Sequence, residues 1–154
     1  MDERYRAIII KDDRILLMKR CFKDNTFYVF PGGGIEANEN PKECCEREVC
    51  EEFGITIKAK QMIYLIHQGS SKQGFFVCDW VSGDIHKTDA EEYTENNRYG
   101  SYEPLSVPLS ETFKLDVMPP EVAIQLEKDL EEFGTNLNRP LIEIECSPYI
   151  RKGD

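Results

Sequence analysis

Between residues 31 and 55 the chain carries Pro31, three consecutive glycines, a short loop and a helix with start and stop signals at both ends. No other stretch constrains the fold as tightly. Gly32, Gly33 and Gly34 let the backbone take positive φ and approach another group closely. Asn40 is a good N-cap, Pro41 suits the first helical position, and Glu43 falls where a capping-box carboxylate belongs. Gly54 supplies a C-terminal stop, so a helix is expected over residues 41–53. Within it Glu48, Glu51 and Glu52 stand at i, i+3 and i+4, inside about 100° of arc on one face. Val49 and Phe53, flanked by Cys45 and Cys50, are expected to face the core. Like charges so crowded cost a few tenths of a kcal/mol per pair, and only Arg47 is close in sequence to offset them. Mg²⁺ would relieve the repulsion, because it favours carboxylate oxygens together with water and phosphate. A solvated acidic face is the plain alternative; the glycine turn and Glu39 tip the balance toward a metal site.

The rest of the chain reads as one mixed α/β domain. Residues 5–10 and 14–20 are apolar-rich runs joined by Lys11, Asp12 and Asp13, a hairpin pattern. Residues 26–30 form a third strand-like run, stopped by Pro31. Residues 55–67 and 75–81 are strand-like, with a polar turn expected over 68–74. Residues 82–101 show no periodicity, and a loop of that length is usually functional or mobile. Val122, Leu126, Leu130 and Phe133 mark a second amphipathic helix after Pro119 and Pro120, its stripe serving core packing. Ile142, Ile144 and Cys146 alternate as a last short strand would.

Composition narrows the function classes. The 154 residues are 40% hydrophobic and carry a net charge of −10. That charge disfavours nucleic acid and acidic membranes as partners, though a bridging cation permits a polyanionic small molecule. No apolar run is long enough to span a membrane, and residues 7–10 are too short for a signal-peptide core, so a cytoplasmic location is expected. Cys21, Cys44, Cys45, Cys50, Cys78 and Cys146 include no C-x-x-C pair, and His67 and His86 stand apart. These cysteines read as small buried hydrophobes, not as zinc ligands or disulfides. His67 reads as a core-edge residue and Trp80 as packing.

The order Gly-x5-Glu-x7-Arg-Glu-U-x-Glu-Glu-x-Gly-U, with U aliphatic, is filled by Gly33, Glu39, Arg47, Glu48, Val49, Glu51, Glu52, Gly54 and Ile55. This resembles the box of the Nudix hydrolases. Residues 14–20, the run Tyr28-Val29-Phe30-Pro31-Gly32-Gly33, and the late Tyr-Glu-Pro to Val-Pro-Leu segment at residues 102–109 are similar to that family too. The resemblance covers residues 5–133 of a single domain spanning 1–154, leaving 134–154 as a C-terminal extension. It implies an α/β/α sandwich with a mixed sheet, as a monomer or homodimer.

The resemblance also implies roles. Glu48 and Glu52 are expected to be the principal ligands of Mg²⁺ or Mn²⁺, with Glu51 and the Gly33 carbonyl contributing. Glu39 supports the site or substrate, and Arg47 holds the acidic side chains. The general base is Glu48 or a glutamate of the later loop, among Glu91, Glu92 and Glu95; Glu92, just before Tyr93, is favoured. Arg6, Lys19 and Arg20 are candidates for substrate phosphates. The implied reaction is water attack on phosphorus in a nucleoside diphosphate linked to another moiety. Residues 69–73 carry neither the proline nor the tyrosine that mark particular substrates, and Ser106 replaces the usual tryptophan of the late segment. A catalytically inactive nucleotide-binding or regulatory domain is the competing reading, which the complete box opposes. An isopentenyl-diphosphate isomerase-like enzyme would need a histidine-rich metal site.

Overall fold

A computed structural model describes residues 2–85 and 100–146. Strands β1 (Asp2–Lys11) and β2 (Arg14–Phe22) form the expected hairpin, turning at Asp12 and Asp13 with φ of 54° and 59°. Aspartate tolerates this left-handed region better than most residues. Then follow β3 (Asn25–Val29), β4 (Gly32–Gly34), α1 (Pro41–Phe53), β5 (Thr56–Gln68), β6 (Ser71–Ser82) and β7 (Ser101–Pro108). Helix α2 (Leu109–Thr112), β8 (Val117–Met118), α3 (Pro120–Phe133) and β9 (Ile142–Glu145) complete the described chain.

The strands run β8-β3-β2-β1-β6-β5-β9, with β4 added to β1 and β7 to β2. Three pairings are parallel, β1–β6, β3–β8 and β5–β9, and the others are antiparallel. The sheet is therefore mixed. Strand β1 links its two halves: Arg4 to Arg6 pair with the glycines of β4, whereas Ile10 and Lys11 pair with β2.

Alternation along the strands builds two cores, one on each face. Tyr5, Ala7 and Ile9 pack with Leu16, Met18 and the α1 residues Cys44, Cys45, Val49 and Phe53. Ile8, Ile15 and Leu17 pack with Phe30, Tyr64, Phe75 and the α3 residues Val122 and Leu126. Strands covered on both faces read as continuous apolar runs, which is why 7–10 and 15–18 show little polar interruption. The architecture is an α/β/α sandwich.

Some expectations need correction. The turn placed at residues 68–74 contracts to Gly69 and Ser70, because residues 71–74 extend β6 in pairing with both β5 and β1. Cys50 is exposed, not core-facing, and its place is taken by Cys44. The late Tyr-Glu-Pro segment is strand β7, which among the described residues pairs with β2 alone. Its two prolines are tolerated because an edge strand need not donate on both sides.

Candidate active site

Helix α1 is capped as expected. Asn40 Oδ1 accepts from the Glu43 N–H at 2.8 Å, Glu43 Oε1 accepts from the Asn40 N–H at 2.9 Å, and Gly54 closes the end at φ 70°. Glu46 accepts from the Ala59 N–H at 2.9 Å, tying the helix to β5. The acidic face is thereby set against the glycine turn.

Two glycines are required there. A Cβ on Gly33 would lie 2.5 Å from the Glu48 carboxyl carbon and 2.7 Å from its oxygens. Gly32 has φ +143°, and a Cβ on it would lie 2.2 Å from the Tyr5 carbonyl. The missing side chains make room for the Glu48 carboxylate and for β1. Glu52 Oε1 accepts from the Gly32 N–H at 2.9 Å. Burial, with the charges of Glu48 and Glu51 added, raises the Glu52 carboxyl to about 7; the Gly32 N–H and Arg6 pull the other way.

Arg47 organises the outer carboxylates. It donates to Glu39 through Nε at 2.6 Å and Nη2 at 3.1 Å, and through Nη1 to Glu48 at 3.0 Å and Glu51 at 2.9 Å. Nη2 also reaches the Gly34 carbonyl at 3.1 Å. A planar donor fork is the group suited to so many acceptors at once. Arg47 holds the Glu39 carboxyl down to about 2, helped by the Glu36 N–H. Glu39 is 12% exposed and Glu48 20%, whereas Glu51 is 57% exposed. Cys44, pushed up to about 12 by burial, stays a neutral thiol that donates to the Gly33 carbonyl at 3.4 Å.

Glu52 opens onto a cleft of about 410 Å³ lined by Arg4, Arg6, Arg20, Gln73 and Tyr102, with Met18 and Val29 among its apolar walls. The Arg20 guanidinium lies 3.8 Å from the centre of the Tyr102 ring. Thus Arg6 and Arg20 reach the cleft, and Lys19 does not line it. Arg4 and Gln73 carry no signal of their own in the sequence, and Tyr102 shows only as the start of the late Tyr-Glu-Pro segment. Pairing of distant strands delivers them, opposite Gln73 for Arg4 and opposite Arg20 for Tyr102. Glu91, Glu92 and Glu95 lie outside the described residues. His67 sits at the β5–β9 edge, its Nε2 2.8 Å from Glu143, and Trp80 donates to the Gly83 carbonyl at 2.8 Å.

Among the described residues no three His, Cys, Asp or Glu side chains form a ready metal cluster. The donors present nonetheless suit Mg²⁺ or Mn²⁺. The cradle at Gly33 admits the Glu48 carboxylate, and Glu52 is a half-buried carboxylate crowded by Glu48 and Glu51. Mg²⁺ is commonly held by one or two carboxylates with water and phosphate, so a pair suffices.

A family model, the NUDIX domain, matches residues 2–133. The chain belongs to the NUDIX domain family. It is 33% identical over 104 residues to an ADP-ribose pyrophosphatase of Methanocaldococcus jannaschii, covering 59% of this chain and 60% of that protein. It is 35% identical over 106 residues to the NAD-capped RNA hydrolase NudC of Shigella dysenteriae, covering 65% of this chain and 40% of that one. The match thus spans less than two thirds of either relative's length. A NUDIX hydrolase crystal structure from Nitrosomonas europaea superposes with a TM-score of 0.74 at 17% identity, over 96% of this chain and 79% of that one. It shares the fold. Among the described residues no helix is long and apolar enough to cross a membrane.

Proposed function

We propose that this NUDIX domain is a Mg²⁺- or Mn²⁺-dependent pyrophosphohydrolase that cleaves a nucleoside diphosphate linked to another moiety. The observation that carries the reading is the placement of Glu48 and Glu52 on the Gly32–Gly33 turn, with Glu52 opening onto an arginine-lined cleft. Acidic donors for a cation beside cationic donors for phosphate suit a diphosphate and little else. The cleft's volume is that of a small-molecule site. The names of the two relatives support the class, since ADP-ribose and an NAD cap each contain a diphosphate that joins a nucleoside to a second group. The net charge of −10 favours a small molecule over RNA.

Glu48, Glu52 and the Gly33 carbonyl would hold the cation, with Glu51 alongside. When bound, the cation neutralises the diphosphate and lowers the pKa of the attacking water. Arg47 keeps the carboxylates in place, and Glu39 anchors Arg47. Arg20, backed by Tyr102, binds a substrate phosphate. Glu92, or Glu48, takes the proton as the water oxygen bonds to phosphorus, and the bridging P–O bond breaks to release two phosphate-bearing products. We assign the chain to the cytoplasm as a single domain, acting as a monomer or homodimer.

A panel of nucleoside triphosphates, nucleotide sugars, ADP-ribose and dinucleotides, assayed for phosphate or nucleotide release with Mg²⁺ and with Mn²⁺, tests this. Turnover of at least one member is expected. No turnover of any member would remove the enzyme reading and leave a binding domain, and metal-independent turnover would remove the cation from it.

A further inference from the structure

Arginines near a diphosphate site invite a phosphate-binding role, yet Arg6 is engaged with the protein's own backbone. Its Nη1 donates to the Phe30 carbonyl at 3.2 Å and to the Gly32 carbonyl at 3.1 Å. Its Nε donates to Gln73 Oε1 at 3.2 Å. The two carbonyls bracket Pro31, so one guanidinium ties the whole turn to β1 and, through Gln73, to β6. Arg6 thus holds the carbonyls on either side of the Pro31–Gly32 peptide, whose own carbonyl accepts from the Ala7 N–H at 2.8 Å and whose N–H donates to Glu52 Oε1 at 2.9 Å. The turn packs closely on β1, where a Cβ at Gly32 would strike the Tyr5 carbonyl.

We infer that Arg6 is a positioning residue for Glu52: by holding the Phe30 and Gly32 carbonyls it fixes the turn so that the Gly32 N–H between them orients the carboxylate, and it does not bind the substrate's phosphates. This rests on the function proposed above for the same site. The geometry divides the cleft's arginines by task. Arg6 sets the carboxylate, while Arg20, lying on Tyr102, meets the substrate. A lysine cannot reproduce Arg6's bridge, because one ammonium would have to span two carbonyls and the Gln73 amide.

Arg6→Met, Gln73→Leu and Arg20→Met separate the tasks by three readouts. These are amide hydrogen exchange at Gly32 in metal-free protein, Mn²⁺ affinity by titration of the free ion, and kcat against KM. Arg6→Met is expected to speed Gly32 exchange about tenfold or more, weaken Mn²⁺ binding about 10- to 100-fold and lower kcat more than it raises KM. Gln73→Leu, which keeps both carbonyl bonds, should move all three in the same direction by less. It carries the test if Arg6→Met fails to fold. Arg6→Lys should recover only part of the loss. Arg20→Met should raise KM with Gly32 exchange and Mn²⁺ affinity unchanged. A tenfold rise in KM for Arg6→Met or Gln73→Leu, with wild-type kcat, Mn²⁺ affinity and Gly32 exchange, overturns the inference. A wild-type protein without turnover overturns the proposed function instead, and Gly32 exchange still decides the role of Arg6.

Discussion

Two sheltered carboxylates lie on opposite sides of the sheet, and they are served very differently. Asp129 on α3 is 4% exposed and fully partnered. Its Oδ1 accepts from Arg139 Nη1 at 2.9 Å and Gln125 at 3.1 Å, and its Oδ2 from the Tyr64 hydroxyl at 2.5 Å and Arg139 at 3.1 Å. Glu52 on α1 accepts from the Gly32 N–H at 2.9 Å and feels two like charges, Glu48 and Glu51, against one cation, Arg6. The first arrangement is complete and joins β5, α3 and the segment leading to β9. The second carries more negative charge than positive, Glu48 and Glu51 against Arg6. A half-buried carboxylate crowded by like charges is poised for a cationic ligand.

The largest expected effect breaks the unfinished side. Glu52→Gln removes a proposed cation ligand with almost no change of shape, and kcat/KM should fall by about 10³-fold or more, some 4 kcal/mol of transition-state stabilisation. The same change should not destabilise the metal-free fold, because the amide no longer carries a buried charge. Steady-state kinetics and urea unfolding in chelator read the two halves. Activity within a few-fold of wild type would take Glu52 out of the metal site.

Asp129→Ala attacks the finished side and should have the opposite profile. Removing one member of a buried ion pair leaves Arg139 and the Tyr64 hydroxyl uncompensated, which costs about 3–5 kcal/mol. The urea midpoint should drop accordingly, while kcat per folded molecule stays close to wild type. An equal loss of kcat would mean that the α3 face is coupled to the site.

The two carboxylates also differ in what pH does. Glu52 has a folded pKa of about 7 against 4.5 for an ordinary glutamate, so the folded state binds the proton more tightly. Its contribution to stability is therefore complete below about 4.5 and lost as pH rises through about 7. At 1.36 kcal/mol per pH unit this amounts to about 3 kcal/mol. In chelator, wild type should lose stability over that window relative to Glu52→Gln, whose curve lacks the slope. Parallel curves would show that Glu52 is solvated in the folded protein. Mg²⁺ should flatten the slope, since the cation favours the charged carboxylate.

The contrast explains what could be read in advance. The cap at Asn40, the stop at Gly54, the carboxylate face and Arg47 are local, set by spacings of three and four along one helix, and they were legible. The cleft was not, because Arg4, Gln73 and Tyr102 reach it only through strand registers that join residues some 70 to 80 positions apart. Arg6 was legible as a cation near the box, but its direction toward the Phe30 and Gly32 carbonyls was not. Asp129 left a faint trace as a polar residue seven positions after Val122 on a buried stripe. Nothing in the chain named Tyr64 or Arg139 as its partners.

The smallest effect sharpens the comparison from the site's own scaffold. Asn40→Ala removes the side-chain acceptor from the Glu43 N–H and leaves half of the capping box. The expected cost is about 1 kcal/mol, a fall in Tm of about 2–4 °C for a chain of this size. Glu48 and Glu52 lie two to three turns further on, where Glu46 binds the Ala59 N–H and Val49 and Phe53 are buried. Fraying of the first turn should stop short of them, so kcat should change by less than about twofold. Thermal unfolding and steady-state kinetics on the same preparation read both. If kcat falls tenfold with so small a loss of stability, the first turn is part of the catalytic apparatus. Glu39, which precedes Asn40 and grips Arg47, would then be the residue that transmits the change.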